Sequence, residues 1–288
     1  MSEIAHSQAA SLSLRGKKVA IVGGTGGIGR AIARFFASRG ADVTVVGRTF
    51  RDDGIGGITF LSADLSLLSE ARRVARELPA EVLDLLVLTT GIMAARKRQE
   101  TSEGIERDMA VSYLSRLVIV REVAPRLGRR RESQAVRARV FIMGFPGKGF
   151  AGAPEDLNAE KSYSAMAVHS NTVAGNESLV LDSTERYSDV DFFGLNPGMI
   201  ATNIRANMLG EGSLAHRLAE RLIGALTISA DAYAERIGPL LVSPDLAGRG
   251  GAMLNHKGLE IPASAKLTER HTQRFMEASD ALVARVLG

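Results

Sequence analysis

Along this chain, short apolar runs rich in β-branched residues alternate with longer segments in which apolar side chains return every third or fourth position. These are the periods of buried strands and of amphipathic helices. Lys17–Val22 (KKVAIV) predicts a first strand that stops at a glycine cluster. Ile28, Ile32, Phe35 and Phe36 then predict a helix closed by Gly40, and Asp42–Val46 (DVTVV) predicts a second strand. Further strands are expected at Ile58–Leu61, Val82–Leu88, Arg139–Met143 and Val190–Leu195, with helices at Ser66–Leu78, Glu103–Leu127 and Ser162–Tyr187 between them. Gly251–Asn255 (GAMLN) predicts a last edge strand. Such alternation builds an α/β, doubly wound parallel sheet with helices on both faces. The expected organisation is a flexible tail over 1–14 and a single domain over 15–288. Within it, 200–241 is helix-prone but outside the alternation and is expected to form a substrate-side flap. The segment 267–287 is expected to be a C-terminal helix whose Phe275, Leu282 and Val286 share one face.

Composition narrows the function classes. Of 288 residues, 45% are hydrophobic and 24% charged, which suits a soluble globular chain with a sizeable core. The chain has no cysteine, which excludes disulfides, thiolate zinc sites and cysteine nucleophiles. Lysine and arginine outnumber the acids by 36 to 32, a net +4 that gives only a modest long-range field. The arginines at 121, 126, 129, 130, 131, 137 and 139 carry no interleaved aromatics for base stacking, so no nucleic-acid partner is expected. Met1–Leu14 does not read as a signal peptide, and no window of about 18 residues is apolar throughout. A cytoplasmic protein without a membrane span is therefore expected. The five histidines lack paired-ligand spacing, so no metal site is expected.

The richest chemical signal is the loop Gly23-Gly24-Thr25-Gly26-Gly27-Ile28-Gly29 between the first strand and the first helix. Glycines there let the backbone turn sharply and approach a pyrophosphate at the helix N-terminus, which makes Gly23, Thr25, Gly26, Gly27, Ile28 and Gly29 candidate dinucleotide contacts. An NAD-selective site would place an acid at the end of the second strand, whereas this chain reads Val46-Gly47-Arg48-Thr49. Arg48, helped by Thr49 or Arg51, suits a 2'-phosphate, so the expected coenzyme is NADP(H) rather than NAD. With strand and helix in place on either side, the loop resembles that of the short-chain dehydrogenase/reductase family, TGxxxGxG, with only the leading Thr changed. The resemblance, to a Rossmann-type fold, runs from about Arg15 to Thr202. Asp64-Leu65 resembles the family's adenine-contacting pair, and Leu88-Thr89-Thr90-Gly91 its NNAG turn. Pro197-Gly198-Met199-Ile200-Ala201-Thr202 is similar to its loop beside the nicotinamide, which implicates Pro197, Gly198, Ile200 and Thr202. Thr101–Leu114 resembles the retinol-dehydrogenase-like branch.

The resemblance also implies a chemistry: hydride moves between nicotinamide and a carbonyl carbon while a Tyr, assisted by a Lys four residues on, passes the proton. Here Tyr163 stands at the family-like place but Ala167 occupies the lysine position. Lys148, in the loop after the fifth strand, is a candidate replacement for the missing cation. The family's serine is replaced by Gly144-Phe145, and Ser112 stands where it often carries Asn. A neutral phenol can still donate a proton, so reduction of a carbonyl or activated alkene of a hydrophobic small-molecule substrate is expected, with Tyr163 as donor. Two alternatives stay open: a non-redox enzyme of secondary metabolism on the same fold, or an inactive NADP-binding protein. The resemblance further implies a homodimer or homotetramer.

Overall fold

The computed structural model describes residues 12–198, 200 and 228–288. Thr202, residues 1–11 of the expected tail and 201–227 of the expected flap lie outside the described residues. Leu14, assigned to the tail from sequence, is instead buried, and its amide donates to the Arg39 carbonyl at 2.9 Å.

Eight strands form a single sheet in the order β3-β2-β1-β4-β5-β6-β7-β8. They are β1 (Lys18–Val22), β2 (Asp42–Gly47), β3 (Ile58–Ser62), β4 (Leu85–Leu88), β5 (Ala138–Met143), β6 (Val190–Leu195), β7 (Met253–Leu254) and β8 (Glu260–Ile261). All neighbours pair in parallel except β7 with β8. The order reverses between β1 and β4, and a doubly wound sheet opens its ligand crevice at that point, outside the carboxyl ends of the strands. β4, β5 and β6 are buried along their whole length, as runs covered by helices on both faces must be. One core packs Leu86, Leu88, Val140 and Phe192 under one helical layer, and the other packs Ile21, Val45, Phe141 and Phe193 under the opposite layer.

Six helices complete the described fold: α1 (Gly27–Ala37), α2 (Leu68–Glu77), α3, α4 (Ala165–Arg186), α5 (Ala230–Leu241) and α6 (Glu269–Leu287). α3 is composite, running through Arg107–Met109, a widened π turn at Ala110–Leu114, and Ser115–Val123. Its start differs from the expected Glu103 because Glu106 caps it, accepting from the Met109 amide at 2.9 Å, while Gly104 turns the preceding chain at φ +77°. The start of α4 differs too. Ser164 is its cap, accepting from the Ala167 amide at 3.1 Å, so Tyr163 lies outside the helix. β4 is shorter than expected because Ala80–Val82 forms a tight turn before it. α6 lays Phe275 edge-on against Tyr113 of α3, and the Tyr113 hydroxyl donates to Ser279 Oγ at 2.8 Å.

Candidate active site

A cavity of about 460 Å³ opens over the carboxyl ends of β1, β2, β4, β5 and β6. Its first half is made of backbone. Gly23 adopts φ +88°, and a Cβ there would stand 2.7 Å from the Thr90 amide nitrogen. A Cβ on Gly29 would stand 2.3 Å from the Gly23 carbonyl oxygen. Gly26 differs: its backbone is extended and nothing lies within 4 Å of an added Cβ, because it faces open space. Among the described residues, no side chain caps α1. Its first amides therefore turn toward the cavity with the positive end of the helix dipole, the arrangement that receives a phosphate group. Gly23, Thr25, Gly26, Gly27, Ile28 and Gly29 all line the cavity. The open cradle and the uncapped helix fit a dinucleotide diphosphate.

The end of β2 sets the charge at one pole. Arg48 lines the cavity and is exposed, with no hydrogen-bond or ion-pair partner among the described residues. Thr49, the helper expected beside it, is exposed and outside the lining. The neighbouring acid, Asp52, is already saturated: Arg30 and Arg34 reach its Oδ1 at 2.7 and 2.5 Å, and it is 4% exposed. Hydrogen bonds from Arg30, with Arg34 adding to them, hold the Asp52 carboxyl below its ordinary range. Asp64 and Leu65 line the same pole, as do Gly47 and Ser66, which the sequence did not single out.

Thr90, Gly91, Pro197, Gly198 and Ile200 line the other half of the cavity, together with Ser112, Val111, Met143, Phe145 and Val173. Arg116, on α3, reaches this half from below and is 3% exposed. Its guanidinium donates to Thr90 Oγ1 at 3.3 Å, to Asn176 Oδ1 at 2.8 Å, and to the Thr90 and Met143 carbonyls. All are neutral acceptors, and burial lowers its pKa to about 9. His169 also lines the cavity, meeting the Phe145 ring edge-on, and burial lowers its pKa.

Two catalytic candidates stand elsewhere. Tyr163 is absent from the lining, and its hydroxyl donates to the Ala95 carbonyl. Its position before the α4 cap removes it from the helix face that His169, Thr172, Val173 and Asn176 turn to the cavity. Burial, then the nearby Glu106 and Asp108 carboxyls, raise its pKa, opposite to what a proton-transfer tyrosine needs. Lys148 is exposed and also absent from the lining. Its loop is tied down on both sides, Gly147 N donating to Glu177 Oε2 at 3.2 Å and Gly149 N to Ser264 Oγ at 2.9 Å. Sequence reasoning missed Asp108, Arg116 and Asn176. The detectable signal was three polar residues, Asp108, Ser112 and Arg116, spaced by four in a helix otherwise apolar on that face.

Comparison with known proteins places this geometry. Residues 17–140 match the short chain dehydrogenase family model. An uncharacterized oxidoreductase of Saccharomyces cerevisiae is 52% identical over 273 residues, spanning 93% of this chain and 88% of its own length. The chain belongs to the short-chain dehydrogenase/reductase family. Members of this family of oxidoreductases bind nicotinamide coenzymes. The polyprenol dehydrogenase of Mus musculus is 27% identical over 270 residues, covering 86% of this chain and 78% of its own. The fold recurs in the crystal structure of an uncharacterized protein of Mycobacterium paratuberculosis, at TM-score 0.68 and 22% identity over 96% of this chain and 97% of that one.

Proposed function

We propose that the chain is an NADP(H)-dependent reductase acting on a carbonyl or activated alkene of a small to medium, largely apolar substrate. The observation that carries this reading is one continuous cavity. It begins at Arg48 and passes the start of α1, neither of which has a side-chain partner among the described residues, and it ends among Ser112, Met143 and Phe145. When bound, the coenzyme supplies a hydride.

The chain's own residues do the rest. The α1 amides hold the diphosphate, and Arg48 supplies a charge-assisted bond to a 2'-phosphate, the charge of the Asp52 carboxylate being already met by Arg30 and Arg34. Asp64 and Leu65 border the adenine pole, and Pro197, Gly198 and Ile200 border the reacting pole. Val111, Met143, Phe145 and Val173 give that pole an apolar wall that excludes water and accepts an apolar substrate. That a relative is named for a polyprenol, itself an apolar alcohol, supports this substrate class.

The test is fluorescence titration of the protein with NADPH and NADH, followed by loss of nicotinamide absorbance over p-nitrobenzaldehyde, diacetyl and an enone. NADPH binding at least about tenfold tighter than NADH, with turnover, is expected. Equal or tighter NADH binding overturns the coenzyme preference. A second reading, an NADP-binding protein without turnover, draws support from the placement of Tyr163 and Lys148 outside the cavity. Tight NADPH binding with no carbonyl or alkene reduced would select it.

A further inference from the structure

Under the reacting pole, α3 stacks Asp108, Ser112 and Arg116 at intervals of four, one above another on a single face. The π turn at Ala110–Leu114 carries Ser112, and such widened turns recur at functional sites. Asp108 is 0% exposed, and Ser112, 7% exposed, stands between it and the cavity. Ser112 Oγ donates to Asp108 Oδ1 at 2.5 Å and accepts from the Ile92 amide at 3.0 Å. Asn176 Nδ2 donates to the Ser112 carbonyl at 2.8 Å, and so holds the turn from α4. The serine oxygen is thus fixed, and its single proton has two acceptors on the protein, Asp108 Oδ1 and, at 3.3 Å, the Ile92 carbonyl, besides any acceptor in the cavity. With Asp108 ionised, the hydroxyl points down to the carboxylate. With Asp108 protonated, the carboxyl donates up to Ser112 Oγ, and the serine proton is released to the Ile92 carbonyl or to an acceptor in the cavity that Ser112 lines.

We infer that Ser112 is the catalytic proton donor of the proposed reduction and that Asp108, acting through it, is the positioning residue that resupplies the proton. The inference rests on the reductase reading above. As the carbonyl carbon gains hydride, the C=O π pair moves onto oxygen, and that oxygen bonds the Ser112 proton. The Ser112 O–H pair returns to Oγ, which takes the Asp108 proton and leaves a carboxylate. The carbonyl is reduced to the alcohol and the dihydronicotinamide is oxidised. After product leaves, a solvent proton returns along the same path.

The surroundings of Asp108 suit a reservoir. Burial raises its carboxyl to about 7, opposed by the Ser112 hydrogen bond and reinforced by Glu106 two residues back, with Arg116 and the Ala94 amide opposing the rise. Tyr163, from the segment before α4, faces the same two acids, and Arg98 faces Glu106. Arg116 stabilises the carboxylate left after transfer without forming an ion pair to it. A donor titrating near the working pH is the efficient one. Because the protonated carboxyl is the active form, the reduction is full below about pH 7 and falls as pH rises through that value.

Infrared difference spectroscopy across a pH titration of the coenzyme-free protein reads the pair directly. The expected result is a protonated-carboxyl C=O band lost with a midpoint about pH 7, absent in Asp108→Asn and shifted in Ser112→Ala. No such band, or one unmoved by either variant, overturns the inference. In turnover, both variants are expected to lose about a hundredfold in kcat with NADPH Kd within about twofold of wild type. Asp108→Asn is also expected to lose the fall in rate near pH 7. Variants that keep the wild-type rate and pH profile, or a profile that follows His169→Gln instead, overturn the inference and leave the reductase reading intact. Wild-type protein that binds neither coenzyme overturns the reductase reading itself, and the infrared titration still judges the Ser112–Asp108 pair.

Discussion

Around Gly23 and Gly29 the cavity is shaped by backbone, whereas around Ser112 it is shaped by side chains brought from α3 and α4. At Gly29 an added Cβ would meet the Gly23 carbonyl oxygen at 2.3 Å and Thr89 Oγ1 at 2.4 Å, so no other residue preserves that half. The Ser112 half is held by the Arg116 and Asn176 hydrogen bonds, and such bonds can be rebuilt from another element without disturbing the sheet. This fits a chain in which the glycine loop resembles the family's nearly throughout while Ala167 and Gly144-Phe145 stand at the lysine and serine positions. A cradle defined by sterics tolerates little substitution, but proton-transfer groups are defined by where they point.

The largest effect expected is at the backbone half. Gly29→Val forces a branched side chain into the Gly23 turn and should cost about 3 kcal/mol of stability and abolish coenzyme binding. Chemical denaturation and NADPH titration check this, and retained affinity would break the contrast between the two halves. Next comes Arg116→Met, which leaves acceptors on Thr90, Met143 and Asn176 buried without a donor. A loss of about 2 kcal/mol is expected by denaturant unfolding, partly recovered in Arg116→Lys; a neutral substitution would show that this half is held by something else.

Arg48→Ala should weaken NADPH by roughly thirtyfold, or about 2 kcal/mol, and leave NADH unchanged, because only the phosphate contact is removed. Equal losses for both coenzymes would place Arg48 outside the phosphate site. Smallest is Tyr163→Phe, which removes the bond to the Ala95 carbonyl for about 1 kcal/mol and should leave carbonyl turnover within about twofold. A collapse of turnover in this variant would return the donor role to Tyr163.

The sheet and the glycine loop were legible because each rests on a local pattern: apolar runs, a helical repeat, and glycines placed where the backbone must turn. The place of Arg48 on the cavity wall, one residue past β2, was legible for the same reason. Tyr163 was misplaced because one hydroxyl, that of Ser164, decides where α4 begins, and a helix period cannot locate a cap two residues away. Lys148 was misplaced because its loop is held by Glu177 and Ser264, partners 30 and 115 residues from the glycines they bind. Asp108 and Arg116 were overlooked because a polar spacing of four is equally that of a solvated helix face, and only burial, a tertiary property, separates the two.

The central claim is that the uncapped start of α1 receives the diphosphate of a nicotinamide dinucleotide. Isothermal calorimetry of wild type and Gly29→Asp with NADPH tests it most directly, since a carboxylate there is both too large for the turn and repelled by the phosphates. Saturable one-to-one heat for wild type, lost in the variant, is the predicted result. Wild-type protein giving no heat with NADPH or NADH, or the variant binding as tightly as wild type, would contradict it.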